Sequence, residues 1–315
     1  MHSSNFTNVL DGAGISPVPV PGARLTLALR TWTGVARGEQ IMLAFFAYLT
    51  VVVLLFSSES TDGWKIVPLN LLIAATIVML GRNPQRAAWM LPARDLFPAL
   101  ALLVAYRESG LLLVPDAARR LDLVFIAWDR TLLHNQFVQA VLQAGSPWLQ
   151  HYLEFAYLLC YPLVPLGAAV IGFSSWSKGA TAKTRPRPMD DFWTPVLLAT
   201  LFCYAVYPFF PLTPPRVLFA DVPGPQVEPL LRQVNFWLLD RYSVQACIFP
   251  SGHVAAATAV ALAVRKQAPR LGALFMFLAA SVAVATVYGR YHYAADAVAG
   301  ALVGIAAYKV TDLFK

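Results

Sequence analysis

At 315 residues, 58% hydrophobic and only 13% charged, the chain is more apolar than soluble domains are and has the balance of a polytopic membrane protein. The formal net charge of +7 resides in short loops between apolar runs, where it sets bilayer orientation, so nucleic acid is excluded as the expected partner. Three cysteines cannot complete a disulfide framework; Cys160 and Cys203 lie inside apolar runs as small packing residues, and only Cys247 falls in a loop.

Taken in chain order, residues 1–23 are polar and carry Pro17, Pro19 and Pro21, a composition that buries no core. With Arg24, Arg30 and Arg37 they are read as a flexible tail and interfacial segment, 1–38, ahead of a single transmembrane domain, 39–315. Apolar runs follow at roughly 41–56, 66–80, 95–114, 152–173, 192–210, 253–264, 271–288 and 292–311. A span needs about 20 residues, so the shorter runs borrow flanking residues or are shielded by protein, and the expectation is an all-α fold of about eight transmembrane helices. Residues 116–150 mix charges with Trp128, Phe137 and Trp148 and read as amphipathic helices at the membrane surface.

The basic loops at 24–38, 81–94, 174–191 and 265–270 fall on one side when these spans alternate, and Lys309 and Lys315 join them. The positive-inside rule makes that side cytoplasmic, with both termini there. Residues 211–250 and the turn at 288–292 then face the exterior, periplasm or an organelle lumen, and the candidate chemistry lies with them.

Three pieces carry that chemistry. Phe249-Pro250-Ser251-Gly252-His253 precedes a run of helix formers. Ser251 suits an N-cap, Gly252 lets a ligand approach the backbone, and the first free amides of such a helix make an anion site beside His253. The alternative is an ordinary helix start with an interfacial histidine. In Tyr288-Gly289-Arg290-Tyr291-His292-Tyr293-Ala294-Ala295-Asp296 the four-residue spacing of His292 and Asp296 puts both on one helical face. The carboxylate then holds one imidazole nitrogen and leaves the other as nucleophile or base; a purely structural pair is the competing reading. In Pro211-Leu212-Thr213-Pro214-Pro215-Arg216 two prolines hold Arg216 at a rigid helix exit, where its planar fork suits phosphate oxygens, although a lone interfacial arginine is ordinarily a headgroup anchor.

Pro250-Ser251-Gly252-His253 followed by His292-x-x-x-Asp296 resembles the second and third signature motifs of the type 2 phosphatidic acid phosphatase superfamily, over roughly residues 192–311. The resemblance implies a six-helix core and transfer through a phosphohistidine without a metal or other cofactor. It makes His292 the nucleophile, Asp296 its orienting partner and His253 the general acid, with Ser251 and Gly252 offering amides to the phosphate. Arg216 matches the arginine of the first motif, but Phe209 and Val217 stand where that motif has Lys and Pro. Thr286 stands at the arginine of the third motif, for which Arg290 is the candidate substitute. The Pro-Pro-Arg and the compact His-Tyr-x-x-Asp are more similar to the branch of inositol phosphorylceramide synthase. The expected function is therefore a lipid phosphotransferase moving a phosphate-containing headgroup from a phospholipid to a lipid alcohol. The alternatives are a lipid phosphate phosphatase of the same superfamily, and a non-catalytic relative that binds or transports lipid.

Overall fold

The computed structural model describes residues 35–56, 62–82, 90–112, 118–134, 146–177, 186–221, 230–244 and 246–313. Arg24, Arg30, Arg86, Lys178, Lys183, Arg185, Lys315 and Phe137, used above for topology or as surface residues, lie outside them, as does the tail up to residue 34.

Twelve helices run through the described residues: α1 (Arg37–Phe56), α2 (Ile66–Arg82), α3 (Met90–Gly110), α4 (Ala118–Leu133), α5 (Pro147–Leu158), α6 (Leu163–Ser177), α7 (Pro186–Val206), the four-residue α8 (Pro215–Leu218), α9 (Leu230–Tyr242), α10 (Gly252–Gln267), α11 (Pro269–Tyr288) and α12 (Ala294–Leu313). A two-residue antiparallel ladder, β1 (Pro211–Leu212) with β2 (Cys247–Ile248), pairs Leu212 with Cys247 and ties the exit of α7 to the entrance of α10.

Among the described residues, four helical stretches are long and apolar enough to cross a bilayer: Arg37–Leu55, Pro188–Phe209, Pro269–Tyr288 and Ala294–Leu313. The pair Pro147–Leu158 and Cys160–Ser175 adds a fifth if taken as one span broken by a 60° bend. The expected count of about eight spans is thus not confirmed among the described residues, for physical reasons. α3 carries Arg94, Asp95, Arg107 and Glu108 with Pro98 inside it, and α2 is only 17 residues long. At 1.5 Å per residue the 16 residues of α10 span about 24 Å, short of a hydrocarbon core of about 30 Å. α10 needs no lipid contact because it lies inside the bundle, packed against α7, α11 and α12 with most of its side chains buried.

Lipid tails are as apolar as valine, so packing rather than water exclusion holds such helices together. Gly300 and Gly304 let α12 lie directly on α10: a Cβ at Gly300 would come within 2.5 Å of the Ser251 carbonyl, and one at Gly304 within 2.7 Å of the Ala255 carbonyl. Leu54, Leu55, Leu71, Leu72, Phe173, Phe277 and Leu302 stay exposed on the outer faces, the apolar surface that a bilayer covers.

Candidate active site

The site is built where the start of α10 meets the turn between α11 and α12. Ser251 caps α10, its Oγ accepting from the Val254 amide at 3.5 Å, while its own amide donates to the Asp296 carbonyl at 3.3 Å. This capping aims the first turn of α10, with His253, at the beginning of α12. The α11–α12 turn is drawn tight by the Thr286 carbonyl, which accepts from the amides of Tyr291 at 2.9 Å and His292 at 3.0 Å. Arg290 takes a left-handed conformation there, with φ of 59°. Gly289 leaves room for the Tyr291 ring, which would lie 2.2 Å from any Cβ at that position.

The turn delivers His292 against Asp296. Their contact, Nδ1 to Oδ2, is 2.5 Å, and both side chains are buried. With Nδ1 so engaged, Nε2 is the nitrogen left for chemistry. The rings of His253 and His292 stand 5.6 Å apart at 63°, near enough for one phosphoryl group to touch both. Tyr161 and Tyr157 complete the wall around His253, with ring centroids at 5.7 and 6.0 Å. Arg216 reaches the same rim through its backbone. Its backbone amide donates to the Arg290 carbonyl at 2.9 Å, joining the segment that bears the first motif to the turn that bears the third. The structure thus gathers His253, His292, Asp296, Ser251, Gly252, Arg216 and Arg290 at one end of the bundle.

Sequence reasoning missed several residues that hold this arrangement. Asp129 of α4 accepts from the amides of Ala294 at 2.9 Å and Ala295 at 3.1 Å, capping α12 from another helix. Burial raises its carboxyl above the ordinary carboxylate range, and the two amides act against that rise. Asp122, two turns earlier on the same helical face, accepts from the Thr213 amide at 2.8 Å, and the Tyr293 hydroxyl donates to the Thr213 carbonyl at 3.1 Å. The acids of this amphipathic helix therefore face the protein, while Leu123, Trp128 and Leu132 are exposed, the reverse of a solvated charged face.

A second cluster, also unforeseen, centres on Glu154 of α5. Its carboxylate accepts from Arg232 at 2.7 Å, from the Asn235 side chain at 2.9 Å and from the Tyr291 hydroxyl at 2.6 Å. Tyr291 in turn stacks on Tyr157 at 3.7 Å. Tyr288, Tyr291 and Tyr293, which flank His292 in sequence, are all buried. Cys247 is the third surprise. Its Sγ lies 3.0 Å from His292 Nδ1 and 3.2 Å from Asp296 Oδ2, a contact across 45 residues of sequence that no local pattern announces. Burial pushes its thiol well up, with the Asp296 charge adding to it, so the thiol is protonated and donates to the carboxylate.

An all-α, membrane-embedded chain with a histidine pair at a helix start, one of the two held by a carboxylate, defines the class. The PAP2 superfamily matches residues 124–310, more than half of the chain, and the protein belongs to that superfamily. The match begins inside α4, upstream of the 192–311 stretch on which the motifs lie, and so takes in Asp129. No curated protein and no solved structure gives a significant match.

The Asp129 contact yields a direct expectation. Asp129→Ala leaves two amides at the start of α12 without their acceptor and frees the His292 turn to shift, and displacements of about 1 Å at a reacting group cost on the order of a hundredfold in rate. Turnover is expected to fall by roughly that factor, with the protein still extracted as a folded species and Asp129→Asn recovering little, because an amide oxygen replaces only one of the two acceptors. Unchanged kinetics in Asp129→Ala would show that the α4 cap does not position the site.

Proposed function

We propose that the protein is a membrane-embedded lipid phosphotransferase that moves a phosphate-bearing headgroup between lipids through a phosphohistidine. Membership of the superfamily points to lipid phosphatase or phosphotransferase chemistry. The observation that carries the residue assignment is the facing of His253 and His292 at 5.6 Å with His292 Nδ1 held by Asp296.

In this mechanism His292 Nε2 attacks phosphorus and the bond to the leaving oxygen breaks, with His253 as general acid giving that oxygen its proton. The acceptor hydroxyl then returns its proton to His253 and attacks the phosphohistidine, restoring both histidines. Asp296 keeps the proton of His292 on Nδ1 and stabilises the cation that forms. Arg216, Arg290 and the Gly252 amide oppose the charge on the phosphoryl oxygens; the Ser251 amide, expected from the motif to join them, is instead held by the Asp296 carbonyl. The chemistry requires no metal or other cofactor, so turnover is expected to persist in excess chelator.

Transfer is favoured over hydrolysis by charge. A phosphate monoester carries nearly two negative charges, and the phosphatase pattern meets them with one Lys and two Arg. Here Phe209 and Thr286 occupy two of those positions, and Arg232, the additional cation near the turn, is neutralised by Glu154. That balance suits the single charge of a phosphodiester. With α10 taken as a protein-shielded crossing, which brings residues 249–253 and 288–292 to one face, the alternation of the basic loops on either side of α10 puts the proposed site on the periplasmic, exterior or luminal side and both termini in the cytoplasm. The test is product partition with headgroup-labelled phospholipids and a panel of lipid alcohols. Label in a new lipid is the expected result; free phosphate or free phospho-headgroup alone would make the protein a hydrolase, and no product at all would leave it a lipid-binding relative.

A further inference from the structure

Cys247, His292 and Asp296 bring together three different ligand types, a thiol, an imidazole and a carboxylate, with all three side chains buried. Their facing atoms are separated by 3.0 Å (Sγ to Nδ1), 3.2 Å (Sγ to Oδ2) and 2.5 Å (Nδ1 to Oδ2). Zinc bonded to such a set at about 2.0–2.3 Å holds its ligand atoms roughly 3.3 to 3.6 Å apart, so the cluster needs to open by less than about 1 Å. The second carboxylate oxygen, Asp296 Oδ1, is buried and has no hydrogen-bond partner among the described residues, which supplies a further donor on the same side. Charge favours the same occupant. One thiolate, one carboxylate and a neutral imidazole cancel a divalent cation, which a buried pocket otherwise admits at great cost.

We propose that Cys247, His292 and Asp296 form an inhibitory site for a thiophilic divalent cation of the zinc type, which disables the nucleophile by occupying Nδ1 of His292. The proton accounting makes the inhibition a consequence of binding. The cation displaces the thiol proton to solvent and bonds to Sγ, Oδ2 and Nδ1. The proton on Nδ1 is exchanged through solvent onto Nε2, so the ring stays neutral, binds the cation through Nδ1 and carries its one proton on the atom that would attack phosphorus. The same step removes the hydrogen bond by which Asp296 orients the ring. The softness of thiolate and imidazole selects zinc or cobalt over magnesium and calcium, so millimolar magnesium does not compete.

The effect on rate rests on the two-histidine mechanism, whereas the binding does not, and the experiment separates them. The full-length protein in detergent is titrated with Co2+ and followed for thiolate-to-metal charge-transfer absorption, in wild type, Cys247→Ser and Cys203→Ser. The band is expected in wild type and Cys203→Ser, to be absent in Cys247→Ser, and to be displaced by Zn2+. Zn2+ is expected to slow headgroup transfer at least tenfold, reversibly with chelator, and Cys247→Ser to need about tenfold or more additional Zn2+ for the same inhibition, measured against its own metal-free rate. Zinc X-ray absorption on wild type requires no variant and is expected to show one sulfur among nitrogen and oxygen ligands. A shell without sulfur, no cobalt band in folded wild type, or equal inhibition of wild type and Cys247→Ser would overturn the site. Should the metal-free protein turn over no lipid, the transfer reading fails, and the cobalt and zinc spectra still decide the metal site.

Discussion

His292→Ala is expected to abolish turnover, by about ten-thousandfold or more, while leaving the protein folded and able to bind lipid. The magnitude follows from its proposed role. A general acid contributes roughly a hundred- to ten-thousandfold, and removal of a nucleophile costs at least as much because the two-step route itself disappears. His292 is also the partner of Asp296, so its loss leaves a buried carboxylate without its imidazole donor at 2.5 Å. Asp296→Asn separates the two effects: it keeps the shape but turns the imidazole toward the wrong tautomer, and is expected to lower the rate with little change in apparent lipid affinity. Retention of a tenth or more of wild-type turnover by His292→Ala would remove the nucleophile from the mechanism.

His253→Gln has the second largest expected effect, and its size depends on the substrate. With a natural lipid leaving group, a poor one that needs its proton, the rate is expected to fall by about a hundred- to ten-thousandfold. With an aryl phosphodiester, whose phenolate departs unaided, the first step is expected to recover to within about tenfold of wild type. The return step still lacks its base, so the phosphorylated enzyme accumulates. The facing of the two rings across 5.6 Å is what lets one histidine serve the leaving and the entering oxygen in turn. A uniform loss across leaving groups would instead assign His253 to phosphate binding or to packing against Tyr157 and Tyr161.

The helices of this protein were legible where composition alone sets them. The apolar runs at 41–56, 192–210, 271–288 and 292–311 each contain or overlap a long spanning helix, because uninterrupted apolar residues leave the backbone no partner but itself. α10 is short because α7, α11 and α12 cover it, as expected of a run shielded by protein, whereas α2 with 17 residues and α3 with Arg94, Asp95, Arg107 and Glu108 leave the count of eight unconfirmed. Residues 152–173, read as one apolar run, bend by 60° between α5 and α6 and make one span if the bent pair is taken together. The histidines and Asp296 were visible because their spacing is local, four residues along one turn or a cap before one helix. Asp129, Glu154 and Cys247 reach the site through contacts 165, 137 and 45 residues away in sequence. A carboxylate on an amphipathic segment, or a cysteine in a loop, looks the same whether it meets water or the amide of another helix.

The proposed mechanism turns on a covalent bond between His292 and phosphorus. It is tested most directly by mixing His253→Gln with an aryl phosphodiester labelled in its phosphoryl group, quenching in alkali within the first turnover, and mapping the label by mass spectrometry. Label is expected on His292, stable to alkali, lost in acid, absent from the His292→Ala, His253→Gln double variant, and discharged in wild type by a lipid alcohol. Burst release of the aryl alcohol with no protein-bound label, or label on any other residue, would contradict it.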